Sequence, residues 1–324
     1  ISIMVPEINR NIAVIGAGAA GLCAAKYLAM AGIRVTIFEI GTQIGGLWCF
    51  MNDNRRSSAY RTLHINTSRS VTRFHDFDFD KGVQAFPDHT DMHRYLVKYA
   101  EHFDLVKLIR FQSRVVDVRP KVIRDAREPF AWEVELESGI CEIFDAVVIA
   151  SGHLTRPLHV SMYKNDFRGQ YLHGHEYKAP EPFVGKRTCV VGVGNSACDM
   201  ATDICSTSKR CVLVARSGVL ILPKLFCGIP FTDITRQIQS TWVPSWLRRR
   251  LIAWLTYLIH GSMTKLGFKA LGQRAHVTSN GTIITDIVYN RIEVKQGIRK
   301  IHGQTIYFDD GTYEEFDVIL AATG

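Results

Sequence analysis

Residues Asn11–Gly21 read NIAVIGAGAAG, a short apolar run that stops abruptly at G-x-G-x-x-G. Five residues this rich in Ile and Val, bounded by glycine, form a buried strand. Ala19 to Met30 then carries helix formers throughout, and Gly32 stands where a helix ends on a left-handed cap. Arg34 to Ile40, RVTIFEI, is β-branched and apolar again. Strand, helix and strand in this order make a βαβ unit with parallel strands, so the chain is of the α/β class. Gly16 permits the tight turn out of the strand. Gly18 lets backbone approach a diphosphate, and Gly21 lets helix and strand pack closely. The loop Gly16-Ala17-Gly18-Ala19-Ala20-Gly21 is therefore a candidate dinucleotide site, with the diphosphate on the helix N-terminus. Glu39 ends the next strand, where a carboxylate can bind ribose hydroxyls.

The pattern returns further along the chain. Thr188 to Val191 reads as a strand, Asn195 to Ser206 as a helix and Arg210 to Ala215 as a second strand. Between the first two lies Gly192-Val193-Gly194-Asn195-Ser196-Ala197, a second loop that ends in Ala, which the fingerprint tolerates. The position that matches Glu39 is Ala215, followed by Arg216 and Ser217. A guanidinium thus stands beside the place of the ribose carboxylate. That favours a 2′-phosphate, which a carboxylate would repel, and so NADPH. The Glu39-bearing first loop is left for FAD. Two such sites in one chain imply hydride transfer from NADPH to a flavin. A disulfide reductase would need a cysteine pair soon after the first unit, yet Cys49 stands there alone and the next cysteine is Cys141. Oxygen becomes the natural electron acceptor.

Composition narrows the class further. The chain has 324 residues, 47% hydrophobic and 22% charged, enough for two packed domains. Its net charge is +8, but the basic residues are scattered with no run of five like charges, which excludes a nucleic-acid partner. Eight cysteines occur without a C-x-x-C pair, as in a reducing compartment, and neither they nor the twelve histidines have metal-site spacing. No signal peptide and no run of eighteen apolar residues is present, so a cytoplasmic protein is expected. Membrane association is the alternative, through Trp246 to Ile259, WLRRRLIAWLTYLI, a stretch too short to cross a bilayer but suited to its surface. The chain opens at Ile1, with Met4 a candidate start, and stops at Gly324 inside a motif, as a C-terminally truncated chain would. Oligomeric state is not legible.

A second echo bears on domain order. Phe144 to Gly152 reads FDAVVIASG and Phe316 to Gly324 reads FDVILAATG, each after a hairpin with a turn at Ser138-Gly139 or Asp310-Gly311. The expected architecture is two Rossmann-like dinucleotide-binding domains, the NADPH domain inserted into the FAD domain. Residues 1–156 and 305–324 form the first and residues 157–304 the second, with a helical insertion at about 218–270.

Phe167, Gly169, His173 and Tyr177 spell F-x-G-x-x-x-H-x-x-x-Y just before the second glycine loop. This resembles the identifying motif of flavin-containing monooxygenases; the similar Baeyer–Villiger motif usually ends in Trp. Gly45-Gly46-Leu47-Trp48 is similar to the family's GG-x-W flavin contact. Leu63-His64-Ile65-Asn66 resembles its L-x-T-N segment, with Ile65 in place of Thr. Gly194-Asn195-Ser196 followed by Asp199 resembles its NADPH loop, and Ala322-Thr323-Gly324 its late A-T-G strand. The resemblance implies FAD and NADPH as cofactors and dioxygen with a small amine or sulfide as substrates, the oxygen passing through a C4a-hydroperoxyflavin, as in N,N-dimethylaniline monooxygenases. It implies that Leu47 and Trp48 contact the flavin, that Asn195, Ser196, Ala197 and Asp199 serve NADPH, and that Asn66 is the catalytic amide near the flavin's reactive edge. His173 and Tyr177 are read as packing residues. The family's chain continues past A-T-G into a part that completes the flavin domain. A Baeyer–Villiger or N-hydroxylating enzyme, or a non-catalytic flavin-binding protein, stays open.

Overall fold

The computed structural model describes residues 10–122, 130–240, 242, 244–272 and 276–324, so the candidate start Met4 lies outside them. The chain divides into two units: Ile1–Ala59 with His89–Thr155, and Tyr60–Asp88 with Arg156–Gly324.

In the first unit, β1 (Asn11–Ile15), α1 (Ala19–Met30) and β2 (Arg34–Phe38) are the predicted βαβ. After α2 (His89–His102) come β3 (Ile109–Arg110), β4 (Val115–Val122), β5 (Phe130–Leu136), β6 (Cys141–Phe144) and β7 (Ala146–Ile149). A parallel sheet runs β3-β2-β1-β7. β1 has a partner on each side, which is why Ile12, Ala13 and Val14 are all buried and all apolar. α1 ends at Ala31 with Gly32 at φ +74°, the predicted left-handed stop. The antiparallel sheet β4-β5-β6 packs through Val134, Leu136 and Phe144 against Ala13 and Phe38 of the parallel sheet, Phe144 meeting Phe38 edge-on at 5.8 Å.

The second unit repeats this plan. Its strands and helices are β8 (Gln170–His173), β9 (Arg187–Val191), α3 (Asn195–Cys205) and β10 (Arg210–Val214), then β11 (Val219–Leu222), β12 (Leu225–Phe226) and β13 (Ile229–Pro230). They continue with α4 (Phe231–Ser240), α5 (Ser245–His260), β14 (His276–Ser279), α6 (Ile283–Val288) and β15 (Glu293–Lys295). Last come β16 (Ile298–His302), β17 (Thr305–Phe308), β18 (Tyr313–Glu315) and β19 (Val318–Ala321). The parallel sheet runs β15-β10-β9-β19-β8, and the antiparallel β16-β17-β18 packs Ile306, Phe308 and Phe316 against it. α3 covers the opposite face with Ala197, Cys198, Ala201 and Ile204. The predicted insertion at 218–270 holds strands β11 to β13 as well as helices α4 and α5.

One expectation is corrected here. Residues 305–324, assigned from the sequence to the first domain, lie in the second unit, and β19 runs between β9 and β8. The echo is a duplication rather than a return. β7 is to β1 what β19 is to β9: Asp145 accepts a hydrogen bond from the Asn11 N–H at 2.6 Å, and Asp317 from the Arg187 N–H at 2.8 Å. The two copies differ in burial. β19 is buried along its length, whereas β7 is a sheet edge with Ile149 71% exposed. Residues 60–88, read as part of the first domain, also belong to the second unit.

Candidate functional site

The first glycine loop is tied into its sheet by backbone alone. Gly16 has φ +107°, a conformation L side chains rarely adopt, and a Cβ there would sit 2.6 Å from the Ala150 carbonyl oxygen at the end of β7. A Cβ on Gly21 would sit 1.9 Å from the Gly16 oxygen. Gly18 begins α1, and no side chain caps it, so the first-turn N–H groups keep the positive end of the helix available to an anion. The turn Gly45-Gly46 lies against Gly18: the Gly45 N–H donates to the Ala17 oxygen at 3.0 Å, and a Cβ on Gly46 would stand 3.2 Å from the Gly18 Cα. Leu47 and Trp48 follow in a single 3-10 turn, both half-buried.

Glu39 is buried behind this loop. One carboxylate oxygen accepts the Ala17 N–H at 2.8 Å, and the other accepts the Gly41 N–H at 2.9 Å. A carboxylate has about four lone-pair positions, so two remain for hydroxyl donors. Glu39 therefore braces the loop and still has acceptor capacity to spare. Cys49 is buried, its thiol donating to Gln43 at 2.8 Å, and burial raises its pKa, the state of an unreactive thiol.

The second loop has the same backbone but different bracing. Gly192 has φ +127°, and a Cβ there would meet the Ala322 oxygen at 2.4 Å, the position Ala150 holds in the first unit. Ala197 occupies the third position, its methyl 3.4 Å from that hypothetical Cβ. Side chains then brace the loop where Glu39 braces the first. Asn195 accepts the Ser279 N–H at 2.8 Å, and Thr278 donates to the Val193 oxygen at 2.6 Å. Asp199 accepts from the Tyr60 hydroxyl at 2.8 Å and from the Asn280 amide at 2.7 Å. Burial raises the Asp199 pKa, against the pull of Tyr60, Lys224 and Asn280. Asn195 and Asp199, expected to face NADPH, thus both have protein partners. Ser196, Arg216 and Ser217 are exposed, and among the described residues Arg216 makes no ion pair.

Asn66 lies in the second unit, on the segment 60–88. Its Oδ1 accepts from the Lys224 ammonium at 3.2 Å, and Lys224 also donates to the Ile65 oxygen at 3.4 Å above the Phe86 ring. An ammonium offers only donors, so Lys224 fixes which way the amide points and leaves the Asn66 NH2 turned away from it. The segment is anchored on α3, where Thr62 donates to Asp203 at 3.1 Å beside the Tyr60–Asp199 bond. Tyr177, fully buried, also donates to Asp203 and packs against Tyr60 with ring centroids 5.7 Å apart. Phe167 sits in the core, and a Cβ on Gly169 would meet the Phe167 ring at 2.6 Å. His173 is buried, which lowers its pKa, and its Nδ1 accepts the His175 N–H at 3.1 Å. These four motif residues are packing elements, as expected for His173 and Tyr177.

Tyr60, Asp203, Lys224 and Asn280 carry no motif that singles them out in the sequence. The lone lysine in LILPKLF is the one readable signal. Among the described residues no cluster of His, Cys, Asp or Glu could hold a metal ion.

A profile described as flavin-binding monooxygenase-like matches residues 9–324. Rabbit (Oryctolagus cuniculus) flavin-containing monooxygenase 5 is 32% identical over 98% of this chain and 62% of its own length. Mouse (Mus musculus) dimethylaniline monooxygenase (N-oxide-forming) 2 is 31% identical over 97% of this chain and 61% of its own. The chain thus spans about three-fifths of these relatives. Among solved structures, S-allyl-L-cysteine S-oxygenase from Allium sativum covers 98% of the chain and 63% of its own, with a TM-score of 0.66 at 24% identity. A flavin-containing monooxygenase from Stenotrophomonas maltophilia covers 98% and 78%, with a TM-score of 0.70 at 17% identity. At such identities the structural likeness carries the fold.

Proposed function

Because the chain belongs to the flavin-binding monooxygenase-like family, we propose that it uses NADPH and dioxygen to oxygenate soft nitrogen or sulfur nucleophiles, with FAD on the first glycine loop and NADPH on the second. The observation that carries this reading is the pair of unlike strand ends: a buried carboxylate, Glu39, behind one loop and an exposed guanidinium, Arg216, beside the other.

The residues present fit both groups. Gly16, Gly18 and Gly21 leave a cradle that side chains would fill, at the uncapped start of α1, which suits a diphosphate. Glu39 keeps acceptor positions for ribose hydroxyls, and Leu47 and Trp48 offer half-buried apolar surface beside the loop. Arg216 and Ser217 offer charge and a hydroxyl to a 2′-phosphate, and Gly192, Gly194 and Ser196 offer the second diphosphate cradle. Bound FAD would supply the hydride acceptor and the site of oxygen activation. The protein's part is to bind and orient. Asn66 is the residue we assign to the reacting region: Lys224 holds its Oδ1, so it meets a cofactor as a hydrogen-bond donor. Asn195 and Asp199 act one step back, keeping the loop and the segment 60–88 in place.

The test is product analysis with the flavin-loaded protein, NADPH and air. A tertiary amine or thioether should yield an N-oxide or sulfoxide in step with NADPH consumed. Peroxide as the only product, or an ester from a ketone with no heteroatom product, would contradict the reading.

A further inference from the structure

Asn66 opens a run that is poor at holding itself. Residues 66–72 read NTSRSVT, in which Asn, Thr and Ser side chains compete for the backbone's own hydrogen bonds. The structure gives this run a single helical turn, Arg69–Thr72, so its position has to come from contacts with other elements. Upstream, Tyr60 and Thr62 fasten the segment to α3. From Ile65 onward a different partner takes over, the stretch 224–236 of the insertion.

That stretch is one braced piece. β12 and β13 pair Leu225 with Pro230 and Phe226 with Ile229, and the Phe231 N–H donates to the Lys224 oxygen at 2.9 Å, which closes the hairpin onto the start of α4. Its two ends grip the run at separate points. Lys224 donates to the Ile65 oxygen and to the Asn66 Oδ1. On the first turn of α4, the Thr232 hydroxyl accepts the Ser68 N–H at 3.0 Å. The Asp233 Oδ1 accepts from the Ser68 hydroxyl and, at 2.8 Å, from the Ser70 hydroxyl. Arg236, further along α4, donates to the Ser70 oxygen at 3.2 Å. An acid on the first turn of a helix ordinarily serves that helix through its dipole. Here its Oδ1 is given to two hydroxyls that lie 165 and 163 positions away. Ser68 is buried, so its hydroxyl needs a partner, and bonds to a charged acceptor are roughly twice as strong as neutral ones. A lone contact from Lys224 would set which way the amide points but let the run swing about it. A second grip two residues on removes that freedom.

We propose that Asp233 is a positioning residue for Asn66: through Ser68 and Ser70 it fixes the run that carries the amide, while Lys224 fixes how the amide points. The inference rests on the assignment of Asn66 to the reacting region, but the clasp itself needs neither cofactor nor substrate. The experiment is nuclear magnetic resonance of the purified protein carrying nitrogen-15-labelled asparagine, with the Asn66 side-chain NH2 identified by its loss in Asn66→Ala. Asp233→Ala should shift and broaden that pair of signals, and Asp233→Asn, which keeps an oxygen to accept the hydroxyls, should restore them. Ser70→Ala removes one exposed hydroxyl without disturbing the fold, and should move the signals in the same direction by less. In the flavin-loaded protein, Asp233→Ala should slow product formation at saturating NADPH roughly 10- to 100-fold with flavin content unchanged, and should have no further effect in the Asn66→Ala background. The proposal is overturned by Asn66 signals that neither Asp233→Ala nor Ser70→Ala moves, or by losses that add in full in the double variant. A wild type that yields peroxide alone would contradict the proposed function instead, and the Asn66 signals would still decide on Asp233.

Discussion

The two glycine loops share a backbone and differ in what holds them. In the first, the third glycine is obligatory: a methyl on Gly21 would lie 1.9 Å from the Gly16 oxygen, a rigid backbone atom. In the second the same position is Ala197, so helix and strand there stand far enough apart to admit a methyl. The tighter loop is clamped by one buried carboxylate, Glu39, through two backbone N–H groups. The looser one is clamped by Asn195 and Thr278 from residues near and far in sequence, which leaves its strand end free to carry Arg216 instead of an acid. On the proposed assignment, the clamp that occupies the strand end of the first loop is absent from that of the second, which leaves room there for Arg216.

The largest effect should come from exchanging the third positions. Gly21→Ala should cost on the order of 3 kcal/mol through overpacking against backbone, and should abolish flavin retention. Ala197→Gly should cost about 1 kcal/mol from helix propensity alone. Urea denaturation and flavin absorbance of the two variants report this directly; equal losses would erase the distinction between the loops.

Glu39→Gln comes next. The amide keeps one acceptor and turns a donor toward a backbone N–H, so flavin affinity should fall about ten-fold, by the energy of one buried hydrogen bond. Fluorescence titration with FAD measures it, and full retention would show that Glu39 is incidental.

Much of this is legible in the sequence, for a physical reason. Gly16, Gly21 and Gly192 answer to backbone sterics within a few residues, so a local pattern displays them. The FDAVVIASG and FDVILAATG strands show the limit. Neighbours in a parallel sheet require the same apolar pattern whichever sheet they join, so Phe316–Gly324 reads as a return to the first domain when it completes the second. The Tyr60–Asp199 bond spans 139 residues, and no local pattern announces it. Asn66 stands out only by resemblance, and the lysine that orients its amide lies 158 positions away.

The smallest effect concerns pH. Asp199 has its pKa raised in the folded protein, chiefly by burial. Its folded pKa lies above the unfolded value, so the stability it contributes is complete below the ordinary carboxylate pKa and is lost as pH rises through the folded one. Urea denaturation of wild type and Asp199→Asn from pH 7 down to pH 4 should show the wild type gaining relative to the variant as pH falls. A difference that is flat, or that runs the other way, would mean that the Tyr60, Asn280 and Lys224 contacts outweigh burial.

The central claim is that one chain takes two unlike dinucleotides, and Arg216→Ala tests it most directly. Flavin content and NADP⁺ affinity should be measured on the same preparation. We predict unchanged FAD stoichiometry, NADP⁺ binding weakened roughly 10- to 100-fold by loss of a charge-assisted contact, and NADH binding unaffected. Loss of FAD, or equal weakening of NADPH and NADH, would contradict the account.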